Sequence, residues 1–182
     1  MDSYDGSTHI ETVRKPETLH NFGPASSRDA TVYTSERPGG DPEGDAKISR
    51  STVEDWIQFM KQQGIQNVMV LLGDDELETY EEPGLLQLYQ DHGLKVYRNP
   101  MGVEGSSKNA EKILKEIEAA KEKVVAHCTH GMGRSGRVAA GWLVMRYGLS
   151  PQEATKEAIL TADKHGMERM GDAALLDQWL NN

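Results

Sequence analysis

Cysteine is nearly absent from this chain: Cys128 stands alone among 182 residues. That excludes an intramolecular disulfide and any Cys-rich zinc finger. Long apolar runs are missing as well. The longest, such as Val68–Leu72, fall far short of the roughly 20 residues that span a bilayer. Met1–Ile10 is polar and acidic with no apolar h-region, so a signal peptide is not expected. Positive charge is scarce, with 20 Lys and Arg against 29 Asp and Glu, a net charge of −9 and a pI near 5.1. Such a surface repels phosphate backbones and anionic lipid, so neither nucleic acid nor membrane is an expected partner. Any anion the protein binds must be held by a local positive site. The acidic excess suits ordinary solubility as well as a salt-rich host. One thiol without secretory features fits a reducing cytoplasm. A monomer is the default expectation.

No internal repeat or low-complexity tract is present, and the length fits one domain with a tail. Residues 1–20 lack apolar periodicity and read as a weakly ordered tail; residues 21–182 read as a single domain. Ala30–Thr34 has strand composition and is followed by a turn-rich stretch at Arg37–Pro42. Ser51-Thr-Val-Glu54 reads as a capping box. Val53, Trp56, Ile57 and Met60 then follow at the spacing of one helical face. Strands are predicted at Ile65–Leu72, Leu94–Arg98 and Lys123–His127. Helices are predicted at Gly84–His92, Ser107–Lys121, Ser135–Tyr147, Ser150 to about Ala162, and Asp172–Leu180. This alternation implies an α/β fold with a mainly parallel central sheet flanked by helices. Ligands bind beyond the carboxyl ends of such strands, where the loops Gly73–Pro83, Asn99–Ser106 and Cys128–Arg134 emerge.

The last of these carries the chemistry. Cys128 ends a strand, Arg134 and Ser135 open a helix, and Gly131 and Gly133 lie between them. Glycines let successive amides face inward as an anion nest. The helix start aims free amides and its positive dipole end at the same point. Arg134 offers a planar fork that matches two phosphate oxygens. The loop is therefore a candidate site for a tetrahedral dianion with a thiol at its base, and the field that holds the anion also favours thiolate over thiol. Thr129, His130, Gly131, Met132, Gly133 and Arg134 form the predicted substrate cradle. A metal site built from His127, Cys128 and His130 is disfavoured, because neighbours on a strand end point to opposite sides. No cofactor is expected.

The run His127-Cys128-Thr-His-Gly131-Met-Gly133-Arg134-Ser135-Gly136 resembles the signature of the Cys-dependent protein phosphatases, His-Cys-x5-Arg-Ser/Thr-Gly, and looks most like the small dual-specificity class. The resemblance implies a metal-independent phosphomonoester hydrolase working through a phosphocysteine. Its substrate would be a phosphorylated protein (phosphotyrosine and phosphoserine or phosphothreonine) or a small phosphomonoester. By the same analogy Cys128 is the nucleophile, Arg134 binds phosphoryl oxygens, Ser135 helps the sulfur leave, and His127 orders the loop from behind. The absence of Lys in the loop argues against an inositol-lipid substrate.

Members of this class take the leaving-group proton from an Asp on the loop after the preceding strand. Here that loop, Asn99–Ser106, has no Asp, and Glu104 is its sole carboxylate. Glu104 is the first candidate acid. Asp74 and Asp75 are the second, although helix-start charge or plain turn chemistry accounts for both. Asp163 and His165 have nothing to place them at the phosphate. Arg37 and Tyr33 are minor candidates for lining the pocket. Arg137, one turn into the helix, reads as a surface residue or a support rather than a phosphate ligand. Two other functions compete with the enzyme: a phosphate-binding module of the same fold that has lost its acid, and a rhodanese-like sulfurtransferase.

Overall fold

The computed structural model describes residues 17–182. Most of the expected tail, including Met1–Ile10, lies outside the described residues. The remainder of that tail is tied to the body: the Glu17 amide donates to Gly166 O at 2.9 Å, just before a 3-10 turn at Leu19–Asn21.

Five strands form one sheet: β1 (Gly23–Pro24), β2 (Val32–Glu36), β3 (Asn67–Val70), β4 (Lys95–Arg98) and β5 (Val124–Cys128). Their spatial order is β1-β2-β5-β3-β4. β1 pairs antiparallel to β2, while β2, β5, β3 and β4 are mutually parallel. β5 therefore lies at the centre, which buries all five of its residues. Strand alternation divides those residues between two faces. Val124, Ala126 and Cys128 join one core with Trp142, Leu143 and Trp179, and Val125 joins a second with Trp56, Leu88 and Tyr89. Both faces are covered by helices, so the carboxyl edge of the sheet is the remaining place for a site.

The helices are α1 (Arg50–Gln62), α2 (Asp74–Leu77), α3 (Leu85–Asp91), α4 (Ser106–Ala119), α5 (Arg134–Tyr147), α6 (Pro151–Lys164) and α7 (Ala173–Leu180). The apolar spacing in α1 buries Val53, Trp56, Ile57 and Met60. Its cap differs from the expected capping box at Ser51. Ser49 is the N-cap, accepting from the Thr52 amide at 3.2 Å, and Ser51 lies in the first turn. The cause is long-range: Ile48 bridges Tyr80 in extended form, which fixes the backbone up to Ser49. At α6 the local signal prevails, and Ser150 and Glu153 cap each other with Pro151 at the first helical position.

Two further differences matter for the site. The early strand begins at Val32 rather than Ala30, because Asp29 accepts from the Thr31 amide and holds a turn there. β2 consequently runs on to place Glu36 opposite Cys128. The segment expected as the loop Gly73–Pro83 contains α2, a single turn that carries Glu76.

Candidate active site

Cys128 is the last residue of β5 and α5 begins at Arg134, so the six-residue step between Cys128 and Arg134 lies over the sheet's carboxyl edge. Gly133 is the N-cap of α5 and supplies no side-chain cap, which leaves the helix-start amides available. One of them, Ser135 N–H, points at the Cys128 sulfur at 3.4 Å. The Ser135 hydroxyl lies 3.3 Å from the same sulfur. Cys128 is 3% exposed, yet it lines an open cleft of about 390 Å³ together with His130, Met132, Gly133 and Arg134.

The loop's shape follows from what surrounds it. Gly131 adopts φ +71°, and a Cβ there would meet Glu36 N and Ser35 C at 2.5 Å. Only glycine allows the loop to lie this close to β2. Asn21 braces the same segment: its side-chain amide donates to His130 O, Gly131 O and Glu168 O at 3.3, 3.1 and 2.8 Å. Met170 N–H donates to Met132 O at 3.1 Å, and a Cβ on Gly136 would meet Met170 O at 2.6 Å. The Arg37 amide donates to Cys128 O at 2.8 Å. Asn21 carried no signal in the sequence, because its partners lie more than a hundred residues away.

A second residue that sequence reasoning missed is Glu76. Its carboxylate takes both terminal nitrogens of Arg134 at 2.7 Å each, accepts from the Gly73 amide at 3.0 Å and accepts from the Thr129 hydroxyl. Arg134 also reaches Leu71 O at 3.4 Å. The Arg134 guanidinium therefore lies across the mouth of the loop. Its hydrogen bonds, followed by those from Thr129 and Gly73, hold Glu76 down at about 2. Glu76 is an anion at neutral pH and has no proton to give. A short turn rich in Asp and Glu before an apolar stretch was the available clue, but nothing local says which carboxylate turns inward.

His127, on the opposite face of β5, is fully buried. Its Nε2 is 2.9 Å from the Tyr89 hydroxyl and Trp56 packs edge-on to its ring. Burial, followed by the charges of Arg37 and Arg134, pushes its pKa down to about 3. Neutral His127 is a packed support beneath the loop. Thr129 is buried and turned towards Glu76, whereas His130 is exposed at the cleft.

The other predicted positions are not gathered at the sulfur by any contact among the described residues. Glu104 is exposed in the turn before α4. Asp74 pairs with Arg98 at 2.5 Å with its side chain 82% exposed, and Asp75 is exposed. Asp163 and His165 are exposed at the end of α6. Tyr33 stacks on Phe22. Arg37 is buried and donates to Gly40 O, Glu76 O and the Thr79 hydroxyl, so it supports α2 from below. Glu36, beside the loop, has its carboxyl raised by burial, an effect that the charge of His130 opposes.

A thiol at the base of an amide-lined turn, an arginine fork above it and a parallel sheet beneath define a member of the Cys-dependent protein phosphatase superfamily. Residues 40–155 match the family model described as cyclin-dependent kinase inhibitor 3. The chain belongs to that family. The curated protein of that name from Homo sapiens is 32% identical over 114 residues, covering 59% of this chain and 54% of its own length. The Mus musculus protein is 31% identical over 113 residues with the same coverage. The chain thus spans about half the length of the curated relatives it matches. Among solved structures, a kinase-associated phosphatase with its catalytic cysteine replaced by serine aligns at a TM-score of 0.64 with 24% identity, covering 82% of this chain and 85% of that one. Tk-PTP in its active form aligns at 0.56 with 25% identity, covering 86% and 96%. No helix among the described residues is long and apolar enough to cross a membrane.

Proposed function

We propose that this protein is a dual-specificity-type protein phosphatase that hydrolyses phosphomonoesters through a phosphocysteine, without a metal. The observation that carries the reading is the convergence of the Ser135 amide, the Ser135 hydroxyl and the Arg134 guanidinium on the loop above the Cys128 sulfur. In the first step the Cys128 thiolate attacks phosphorus and the ester oxygen leaves with the P–O electron pair. That oxygen takes a proton from Glu104, the one carboxylate on the loop after β4. In the second step the Glu104 carboxylate takes a proton from water as that water attacks the phosphocysteine, the P–S bond breaks, and the sulfur leaves as thiolate with the Ser135 hydroxyl donating to it. The products are the alcohol or phenol and inorganic phosphate. Arg134 and the loop amides stabilise charge on the equatorial oxygens throughout.

A specific observation also favours a weaker catalyst. Glu76 is the carboxylate in direct contact with the loop, and it is locked to Arg134 as an anion. An acid must come from an exposed carboxylate, Glu104 first and Asp74 or Asp75 second, or from solvent. In the latter case the protein binds phosphorylated segments and turns over only esters with good leaving groups.

Purified protein is assayed with an aryl phosphate and a phosphopeptide in EDTA, beside Cys128→Ser. Phosphate release that disappears in the variant supports the enzyme. Vanadate or phosphopeptide binding without release supports the binding reading. Thiocyanate formation from thiosulfate would replace both with sulfur transfer.

A further inference from the structure

Eight arginines lie among the described residues, and seven are engaged. Arg28, Arg50, Arg98, Arg134 and Arg146 each pair with a carboxylate. Arg37 and Arg169 are buried and donate to backbone carbonyls and hydroxyls. Arg137 is the exception: among the described residues its guanidinium has no hydrogen bond and no ion pair, although it is half-buried. A guanidinium that gives up part of its hydration without gaining a partner is costly to fold, so its position calls for a ligand.

That position is specific. Arg137 follows Arg134 by three residues on α5, so the two side chains share a helix face about 5–6 Å apart at Cβ. Arg137 lines the cleft that holds Cys128 and Arg134. It also lines an adjoining basin of about 460 Å³ walled by Met101, Leu175, Gln178 and Trp179. Met101 belongs to the loop that carries Glu104, so the basin runs alongside the segment that bounds the leaving group. The anion nearest to Arg137 in charge terms is Asp172, whose carboxylate is occupied in capping the Leu175 amide at 3.0 Å.

We propose that Arg137 reads a second anionic group on the substrate, a carboxylate or phosphate on a residue flanking the phosphorylated one, while that flanking residue occupies the basin beside Trp179. This deepens the phosphatase reading and rests on it for the identity of the first phosphate. It makes acidic or doubly phosphorylated segments the preferred class over neutral ones, and it gives an otherwise acidic protein a reason to keep an unpaired arginine at its cleft.

The test compares three phosphotyrosyl peptides that differ only in the flanking residues: Gln, Glu, or a second phosphoresidue. Their affinities for Cys128→Ser are measured by calorimetry, so the comparison needs no turnover. The Glu and doubly phosphorylated peptides should bind roughly five- to tenfold tighter than the Gln peptide, the effect of one half-exposed charge-assisted contact. The two anionic arms separate carboxylate from phosphate recognition. Adding Arg137→Gln should bring the ratios to about one, whereas Arg137→Lys should retain part of the preference. The ratios in Cys128→Ser should also shrink towards one as salt rises to about 0.5 M. Ratios near one in Cys128→Ser, or ratios that survive Arg137→Gln, overturn the proposal. Were Arg137→Gln not to fold, a preference insensitive to salt and equal in Arg137→Lys would overturn it instead. Absence of aryl phosphate turnover by the wild type would count against the phosphatase reading alone, because the binding ratios are measured without it.

Discussion

Two loops leave parallel strands on either side of β3, and they are held in opposite ways. The loop after β5 is clamped from every side: Asn21 and Met170 hold its carbonyls, the β2 backbone touches Gly131, and Glu76 grips Arg134 and Thr129. The loop after β4 is held at its two ends and by buried Met101, and its tip has no such brace. Asn99 Nδ2 donates to Ser106 O at 3.1 Å and Asn109 donates to Asn99 Oδ1 at 3.2 Å, while Gly102, Val103 and Glu104 stand exposed at the tip. Under the proposed reading the difference matches two tasks. A phosphate cradle works by donors already in place before charge develops. A proton donor has only to reach one oxygen of a bound ester, and a loose tip permits leaving groups of different size. The rigid half of the site is thus where small changes in shape should cost most.

The largest expected effect comes from removing that rigidity without touching a reacting group. Gly131→Ala puts a methyl group 2.5 Å from backbone atoms of Ser35 and Glu36 at a φ of +71°, and neither neighbour can swing away as a side chain would. Destabilisation on the order of 3 kcal/mol is expected, with loss of most turnover. Urea denaturation and an aryl phosphate assay on one preparation measure both. An Ala variant with normal stability and normal rate would show that the cradle is far softer than its contacts imply.

The next effect tests the loose half. Glu104→Gln should lower turnover of an alkyl ester such as a phosphoseryl peptide by about 10²-fold, the usual contribution of a general acid. An aryl phosphate with a good leaving group should be far less affected, since its oxygen needs no proton to depart. The ratio of the two rates is the measurement. Equal losses for both substrates would mean that Glu104 does not supply the proton, and Asp74→Asn and Asp75→Asn would be measured next.

Legibility follows the same division between local and distant causes. The parallel sheet, most helices and the strand–turn–helix that carries Cys128 and Arg134 could be read directly, because strand composition, helical spacing and the Cys128-to-Gly136 run are local patterns. The cap at Ser49 could not, because Ile48 is held by Tyr80 across thirty-two residues. Glu76 was lost for a related reason: α2 is one turn with no apolar face of its own, and its inward carboxylate is chosen by Arg134, fifty-eight residues on. Arg137 looked like a surface residue because sequence gives a charge but not the cleft it lines.

Glu76 offers a finer probe of the clamp. Glu76→Gln keeps the shape but removes the charge opposite Arg134, so the guanidinium is less firmly oriented. About a tenfold fall in kcat/KM is expected, carried by both constants, with the fold intact by circular dichroism. Its acid dependence has a definite sign. The folded pKa, about 2, lies below the ordinary 4.5. The clamp's contribution to stability is therefore full above pH 4.5 and is lost as pH falls towards 2. Because Glu76 and Arg134 both remain partly exposed, that contribution is modest. Wild type and variant should converge in stability near pH 2, and a gap that stays constant down to that pH would separate Glu76 from the clamp.

The smallest effect lies beneath the loop. His127 is neutral when folded, with a pKa near 3, and takes a proton near 6.5 when unfolded. Between those values the unfolded chain binds one proton more, so stability rises with pH across the interval and is complete above 6.5. The limiting slope for one such group is about 1.4 kcal/mol per pH unit. Other groups titrate in the same range, His20 among them, since burial lowers its pKa as well. The useful quantity is therefore the difference between wild type and His127→Gln, followed by urea denaturation at pH 7 and pH 5. The variant loses packing against Trp56 and Tyr89 at both pH values, but it has no buried imidazole to keep unprotonated. Its deficit relative to wild type should shrink on going to pH 5, by an amount approaching 2 kcal/mol. A deficit that is the same at both pH values would mean that His127 accepts its proton inside the folded protein. The rigid half of the site would then rest on a support able to carry charge.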